Sequence, residues 1–218
     1  LTAKATAKLF GLPLLKMDIG SLMGKYVGES EGNMRRAIAV AEAVSPCVLW
    51  VDEVEKAFAG IGSGAAGSEV ATRLFGYFLT WMQEKTAQVF VVTTANDISV
   101  LPPELLRKGR FDEIFYVDFP NEAERKAIFR VHLDKRKKMN QQIDLHKLAK
   151  ATDKYSGADI ESIVKEGIER AFLANRAELD TQRLMQVIEA THPLGMVMKD
   201  KVKQYQNRFA EMKIKSAS

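Results

Sequence analysis

Two adjacent carboxylates, Asp52 and Glu53, stand at the end of an apolar run that begins at Cys47. A continuous apolar run of this length is typical of a strand that is buried on both faces of a parallel sheet. Ligands of open α/β sheets bind at the carboxyl ends of the strands, so the run predicts a nucleotide's metal ion beside Asp52. Asp52 would hold that metal directly or through water, and Glu53 would orient and deprotonate the attacking water. The alternative, from these residues alone, is a strand that ends in a polar turn.

The elements that must position these carboxylates alternate between strand and helix, as a parallel sheet requires. The predicted strands cover residues 14–17, 47–53, 88–94 and 114–118. The predicted helices between them cover residues 2–10, 31–44 and 69–83. Gly-rich loops are predicted around residues 18–30 and 60–68, with Ser30 as the N-cap of the following helix. Residues 1–119 are therefore predicted to form an α/β domain.

The pattern becomes helical after Pro120, with predicted helices over residues 121–134, 144–151, 156–172 and 180–190. Ser156 and Asp159 have the spacing of a capping box at the start of one of them. These helices predict a small all-helical domain over residues 120–195. A polar tail, residues 196–218, is predicted to carry one more helix from Met196 to Met212.

Composition sets few limits on the partners of this chain. Its 32 basic and 28 acidic residues are interspersed and give a formal net charge of +4, which is no strong indication of nucleic-acid or membrane binding. The basic run 135–138 follows a predicted helix, where cations favour the negative end of the helix dipole. No apolar stretch reaches the roughly 20 residues that span a bilayer. The single cysteine, Cys47, excludes an internal disulfide and indicates a reducing compartment.

Three segments, in this order along the chain, resemble motifs of the AAA+ ATPases. Residues 48–53 resemble the Walker B strand, residues 94–96 the end of the sensor-one strand, and residues 105–112 the arginine-finger segment. The resemblance implies the α/β fold of a P-loop NTPase, with an AAA+ parallel sheet domain followed by a small all-helical lid. It also implies that ATP and Mg²⁺ are the cofactors.

The resemblance assigns roles to side chains of the first domain. Asp52 would hold the metal, Glu53 would activate the attacking water, and Asn96 would position that water. Arg107 and Arg110 would stabilise charge on the γ-phosphate of a neighbouring subunit, an effect worth about 10³ to 10⁵ in rate in other NTPases. The alternative for the two arginines is a surface turn paired with neighbouring carboxylates.

In the helical part, residues 155–159 resemble the sensor-two region of the classical AAA branch. Small residues approach the adenine there, which implies that Gly157 and Ala158 bind the nucleotide. Many AAA+ relatives have an arginine in this region, and its absence places the chain nearer the classical branch. His132 matches a position where that branch often has a histidine near the base or ribose, and a core histidine on an amphipathic helix is an equal alternative.

Residues 23–31 resemble the first pore loop of these ATPases, and residues 60–67 occupy the place of a second pore loop. The resemblance implies that Lys25, Tyr26 and Val27 project into the channel of a ring. Such side chains hold extended polypeptide through apolar area and stacking. The alternative is that Tyr26 packs beneath its own loop.

The first residues resemble the helix directly after the motif Gly-x-x-x-x-Gly-Lys-[Ser/Thr], which implies that Leu1 lies beside the nucleotide. The phosphate-binding loop and its strand would then precede Leu1, and the α/β domain would be incomplete at its N-terminus. We therefore expect residues 1–218 alone neither to bind ATP with useful affinity nor to hydrolyse it. Within the superfamily, residues 46–59, 106–115 and 191–194 are similar to an uncharacterised group found in cyanobacteria and encoded in algal plastids.

Taken together, the resemblance implies a Mg²⁺-dependent ATPase of the cytoplasm or the plastid stroma. Its subunits would assemble into a ring, expected to be a hexamer, and would remodel or unfold a protein substrate. A DNA- or RNA-associated AAA+ motor is one alternative, in which Lys25 and residues 135–138 contact phosphates. A noncatalytic scaffold that keeps the AAA+ fold is the other.

Overall fold

A computed structural model describes residues 1–22, 29–58, 67–101, 110–174 and 178–217 of the chain. The chain forms two compact units, Leu1–Asp112 and Glu113–Ser218. The first unit is an α/β structure and the second is mainly helical, which confirms the predicted fold class. No described helix is both long enough and apolar enough to cross a membrane.

The first unit is built on a parallel sheet whose described strands lie in the order β1, β2, β3. These strands are β1 (Leu14–Asp18), β2 (Cys47–Asp52) and β3 (Val89–Thr93). Strand β2 lies between the other two, and most of its side chains are at most 2% exposed, as its apolar run predicted. The register pairs Asp18 with Asp52, so β1 and β2 end at the same edge of the sheet.

Helices and short 3-10 turns connect these strands. The helices are α1 (Thr2–Phe10), α2 (Ile19–Leu22), α3 (Glu29–Ala43) and α4 (Gly67–Glu84), and the 3-10 turns are Val54–Phe58 and Ile98–Val100. Helix α1 packs on β2 and buries Ala3 and Ala7, four residues apart on one face. It ends at Gly11, whose φ of 65° is the left-handed conformation that closes many helices.

The start of α3 differs from the prediction that Ser30 is its N-cap. Ser30 lies inside the first turn and is only 2% exposed, because the helix already begins at Glu29. Glu29 and Glu31 place negative charge in that first turn, where it complements the helix dipole.

The second unit consists mainly of helices that begin at a capping side chain. They are α5 (Glu122–Lys135), α6 (Leu145–Ala151), α7 (Gly157–Leu173) and α8 (Thr181–Ala190). The side chains of Asn121, Asp144, Ser156 and Asp180 each accept a backbone N–H of the first turn. The capping box predicted for Ser156 and Asp159 is present. The largest fully buried side chains of this unit are Phe129, Leu133, Leu148, Ile160 and Ile163.

The strand predicted over residues 114–118 is shorter in the structure and does not belong to the first unit. It is β4 (Phe115–Tyr116), which pairs in parallel with β5 (Lys215–Ser216) inside the second unit. Phe115 is 55% exposed and Val117 is 73% exposed. A segment with such exposed apolar side chains lacks the burial on both faces that a core strand of a parallel sheet requires.

The tail helix predicted from Met196 to Met212 is divided into α9 (Leu194–Val197) and α10 (Lys199–Glu211). Helix α10 contacts β4 through an aromatic pair. The Phe209 ring stacks on the Tyr116 ring, with the two centroids 4.3 Å apart. Local pattern does not reveal this tertiary contact.

Candidate functional site

Asp52 and Glu53 stand where β2 leaves the sheet. Asp52 is the last residue of the strand, and Glu53 has a φ of 51°. A left-handed conformation is uncommon for a residue other than glycine, and such residues concentrate at functional sites. The Asp52 side chain is 28% exposed and that of Glu53 is 38% exposed, so a ligand can approach both carboxylates.

Thr94, the residue after β3, contacts both acidic residues. Its hydroxyl donates to Asp52 Oδ1 at 2.7 Å and accepts the backbone N–H of Glu53 at 3.1 Å. The hydrogen bond from the Thr94 hydroxyl to Asp52 is the main cause that holds the pKa of Asp52 below its ordinary value. Burial raises this pKa, and Lys16 lowers it further. Asp52 is therefore ionised at neutral pH, as a carboxylate metal ligand must be. The sequence motifs imply no role for Thr94 itself.

The other carboxylate oxygen of Asp52 has a cationic neighbour, Lys16, which no sequence motif indicates. Lys16 Nζ lies 3.2 Å from Asp52 Oδ2 and 4.6 Å from the centre of the Trp50 ring. The parallel register places Lys16 directly opposite Trp50. The sequence alone does not show that Lys16 lies beside Asp52. Which residues of two neighbouring strands lie side by side on one face follows only from the register between the strands. The Lys16 side chain is 52% exposed, so water screens the ion pair.

The Glu53 carboxylate is contacted by an amide and by an ammonium group. Asn96 Nδ2 donates to Glu53 Oε1 at 3.3 Å, and Lys56 forms an ion pair with Oε2. The hydrogen bond to Glu53 is the main cause that raises the pKa of Lys56. A carboxylate in this position can accept a proton from a water molecule. The amide beside it can orient that water by a hydrogen bond. The structure thus brings together Asp52, Glu53 and Asn96, to which the family resemblance assigns related roles.

We call Asp52, Glu53, Thr94 and Asn96 the strand-end cluster. Its ligand atoms are all oxygens, which suit a hard cation such as Mg²⁺. Among the described residues, no group of three or more His, Cys, Asp and Glu side chains could hold a metal ion. Mg²⁺ usually binds through one or two carboxylates together with substrate phosphates and water. The cluster therefore fits Mg²⁺ that arrives with a nucleotide, and Asp52 is the residue that would hold it.

The structure describes only some of the other candidate residues of the first domain. Leu1 is 97% exposed at the start of α1, and its carbonyl accepts the N–H of Ala5 at 3.0 Å. Arg110 is half-buried in a turn. The remaining candidates lie outside the described residues, namely Arg107 and the predicted pore-loop residues Lys25, Tyr26 and Val27. Residues 60–66 of the second predicted pore loop lie outside them as well.

In the second unit, His132 belongs to a charged cluster between α5 and α7. His132 Nδ1 lies 3.6 Å from Glu161 Oε1, and Arg136 Nη2 donates to the same oxygen at 2.8 Å. The hydrogen bond from Arg136 is the main cause that holds the pKa of Glu161 below its ordinary value. The His132 side chain is 18% exposed, so it lies at the boundary of the core. Its position near a base or ribose stays a prediction.

Gly157 and Ala158 form the first turn of α7, directly after the capping residue Ser156. A Cβ on Gly157 would meet Ile128 Cδ1 at 3.8 Å, an ordinary contact, so packing inside the unit does not require glycine here. Ala158 is exposed. The predicted contact of these two small residues with adenine stays a prediction.

Two family models match the chain. The ATPase family associated with various cellular activities (AAA) matches residues 1–119, and the AAA+ lid domain matches residues 142–186. The first match covers more than half of the 218 residues.

Individual relatives extend these matches. The chain is 46% identical to the uncharacterized AAA domain-containing protein ycf46 of Pyropia yezoensis and 43% identical to that of Guillardia theta. Each comparison covers the whole chain, and 44% and 43% of the respective relative. Over 76% of its length, the chain is 33% identical to a cell division cycle protein 48 homolog of Archaeoglobus fulgidus, of which it covers 23%. The chain thus spans less than half the length of these relatives.

Proposed function

The chain belongs to the AAA family of ATPases, and from this premise we propose that it carries the hydrolytic centre of a Mg²⁺-dependent ATPase. The similarity to ycf46 proteins confirms the narrower group that the sequence indicated. The observation that carries the proposal is the strand-end cluster. Asp52 and Glu53 are adjacent, both contact Thr94, and Asn96 lies 3.3 Å from the Glu53 carboxylate.

Each residue of the cluster has a task in this proposal. Asp52 would hold the metal ion, which would supply positive charge against the negative charge of phosphoryl transfer. Glu53 accepts the proton of the attacking water, and Asn96 holds that water by a hydrogen bond. Gly157, Ala158 and His132 of the lid contact the base and ribose, as the family resemblance implies.

The wider proposal concerns assembly and substrate. Subunits form a ring, expected to be a hexamer, in which Arg107 and Arg110 complete the site of a neighbour. Lys25, Tyr26 and Val27 line the channel and grip a protein substrate in the cytoplasm or the plastid stroma. Membership of the AAA family supports this wider proposal, together with the order and spacing of the motifs along the chain.

The substitution Glu53→Gln in the full-length protein tests the hydrolytic role. Loss of a general base lowers ATP turnover by about 10²- to 10⁴-fold. Binding of a fluorescent ATP analogue stays unchanged, because glutamine keeps the size of the side chain and Asp52 is intact. Steady-state turnover and fluorescence titration measure the two quantities.

Glu84→Gln is the matched control, since Glu84 is an exposed carboxylate at the end of α4. It should leave both turnover and binding at the wild-type level. Turnover of Glu53→Gln close to that of the wild type would remove Glu53 from the role of base. A wild-type protein that binds ATP without hydrolysing it would favour the noncatalytic scaffold.

A further inference from the structure

We infer that Thr94 is a positioning residue that sets the relative positions of Asp52 and Glu53. The inference rests on the proposed function and extends it to a residue for which the motifs imply no role. Its basis is one hydroxyl group that hydrogen-bonds both acidic residues. That hydroxyl donates to Asp52 Oδ1 at 2.7 Å and accepts the Glu53 N–H at 3.1 Å.

The backbone around Thr94 already joins the two strand ends. The Thr94 N–H donates to the Val51 carbonyl at 3.0 Å, and the Val54 N–H donates to the Thr94 carbonyl at 2.9 Å. These backbone bonds do not depend on the side chain at position 94. The hydroxyl therefore adds something separate from strand pairing, namely the orientation of the Asp52 carboxylate and of the Glu53 peptide group.

For Asp52, the hydroxyl makes the two carboxylate oxygens unequal. Oδ1 is engaged by Thr94, whereas Oδ2 is 3.2 Å from the Lys16 ammonium. The Lys16 side chain is 52% exposed, so a divalent ion can displace it into water. The geometry thus leaves Oδ2 for a metal and fixes the carboxylate plane through Oδ1. Hydrogen bonds of this kind to metal ligands orient the ligand and tune the affinity for the metal.

For Glu53, the hydroxyl holds a peptide group in an uncommon conformation. The φ of Glu53 is 51°, and its N–H points to Thr94 Oγ1. This conformation directs the chain into the turn Val54–Phe58 while the Glu53 side chain meets Asn96. Threonine suits this position because β-branching restricts χ1 and so fixes the direction of the hydroxyl.

The test compares Thr94→Val, which keeps the shape and removes the hydroxyl, with Thr94→Ser, which keeps the hydroxyl. Both are made in the full-length protein, and kcat for ATP and the Kd for Mn²⁺ are measured. Mn²⁺ replaces Mg²⁺ because both prefer oxygen ligands and Mn²⁺ binding is visible by electron paramagnetic resonance. We expect Thr94→Val to lower kcat by about 10- to 100-fold and to raise the Kd for Mn²⁺ by about tenfold or more. Thr94→Ser should recover most of both losses.

Thr93→Val is the matched control, because it makes the same chemical change one residue earlier, where the side chain points to the opposite face of β3. It should leave kcat and the Kd for Mn²⁺ unchanged. If Thr94→Val does not fold, Thr94→Ala removes the same hydroxyl without placing a methyl group against Asp52. The same losses are expected for it.

The outcomes separate this inference from the proposed function. An active wild type whose Thr94→Val variant keeps kcat and the Kd for Mn²⁺ overturns the role of Thr94. A lower melting temperature with unchanged Mn²⁺ affinity also overturns it, since that result reports packing alone. A wild type without ATP turnover overturns the proposed function, and Mn²⁺ affinity then decides the inference. Loss of that affinity in Thr94→Val with recovery in Thr94→Ser supports it, and equal affinity in all three proteins overturns it.

Discussion

The strand-end cluster of the first unit and the helix caps of the second hold their polar groups in different ways. In the strand-end cluster, hydrogen bonds join residues 41 to 43 positions apart, from Asp52 and Glu53 to Thr94 and Asn96. In the helical unit, a capping residue such as Ser156 bonds to a residue only three positions away. A local cap forms wherever its helix forms, whereas the cluster exists only when β2 and β3 are paired. Asp52 and Glu53 therefore meet Thr94 and Asn96 only through the parallel sheet.

The largest expected effect tests whether the strand-end cluster is sufficient by itself. If each site needs a neighbour, Arg107→Ala/Arg110→Ala should lower ATP turnover of the full-length protein by about 10³-fold or more. Mixing this variant with Glu53→Gln subunits should restore part of the activity, because each supplies what the other lacks. Steady-state turnover of the mixed and separate proteins measures this.

Arg130→Ala, an exposed arginine of α5, is the control for the arginine pair and should keep normal turnover. A double variant that hydrolyses ATP at the wild-type rate on its own would contradict the shared site. The cluster would then be complete within one subunit.

A smaller effect concerns the ion pair beside the cluster. Lys16 competes with a divalent ion for Asp52 Oδ2, so Lys16→Met should lower the Mg²⁺ concentration that gives half-maximal ATP turnover. Because a screened surface ion pair is worth up to about 1 kcal/mol, the expected decrease is about fivefold at most. A Mg²⁺ titration at saturating ATP measures it.

Lys4→Met is the control, since the Lys4 ammonium lies over the same Trp50 ring at 5.9 Å. It should leave the Mg²⁺ requirement unchanged. A Mg²⁺ requirement that rises in Lys16→Met would show that Lys16 assists metal or phosphate binding, contrary to the competition described here.

Loss of a helix cap in the second unit should lower stability without changing ATP turnover. Ser156→Ala removes the cap of α7 and should lower the free energy of unfolding by about 1 kcal/mol. Chemical denaturation of the chain, followed by circular dichroism, measures the loss. Ser162→Ala changes an exposed serine inside the same helix and should cause no such loss. Equal effects of the two substitutions would argue against the cap.

The smallest expected effect is the acid dependence of stability that comes from Asp52. Its pKa in the folded protein is held below the ordinary value of 3.8, chiefly by Thr94. The ionised carboxylate therefore stabilises the fold above about pH 4, and this contribution is lost as pH falls through the lower folded pKa. The difference in unfolding free energy between wild type and Asp52→Asn should shrink as pH falls below about pH 4.

Urea denaturation at several pH values tests this, with Asp200→Asn on α10 as the surface control. A difference that stays constant over this range would show that the hydrogen bond from Thr94 does not depend on an ionised Asp52.

Much of the architecture was predictable because it depends on local pattern. The predicted bounds of α1 agree with the structure, and the run that starts at Cys47 is the buried strand β2. The capping box at Ser156 is present because its partners are three residues apart. The predictions were less accurate for residues 114–118 and for the tail, where the contact between Tyr116 and Phe209 joins distant segments.

The sequence by itself indicated which residues are candidates for the chemistry. Asp52, Glu53 and Asn96 follow apolar runs, and their order resembles that of the AAA+ motifs. Only the tertiary structure decided what surrounds them. The pairing of β1, β2 and β3 brings Lys16 and Thr94 to the two oxygens of Asp52. The physical reason is that strand period reveals which face a residue takes, whereas register between strands depends on packing of the whole sheet.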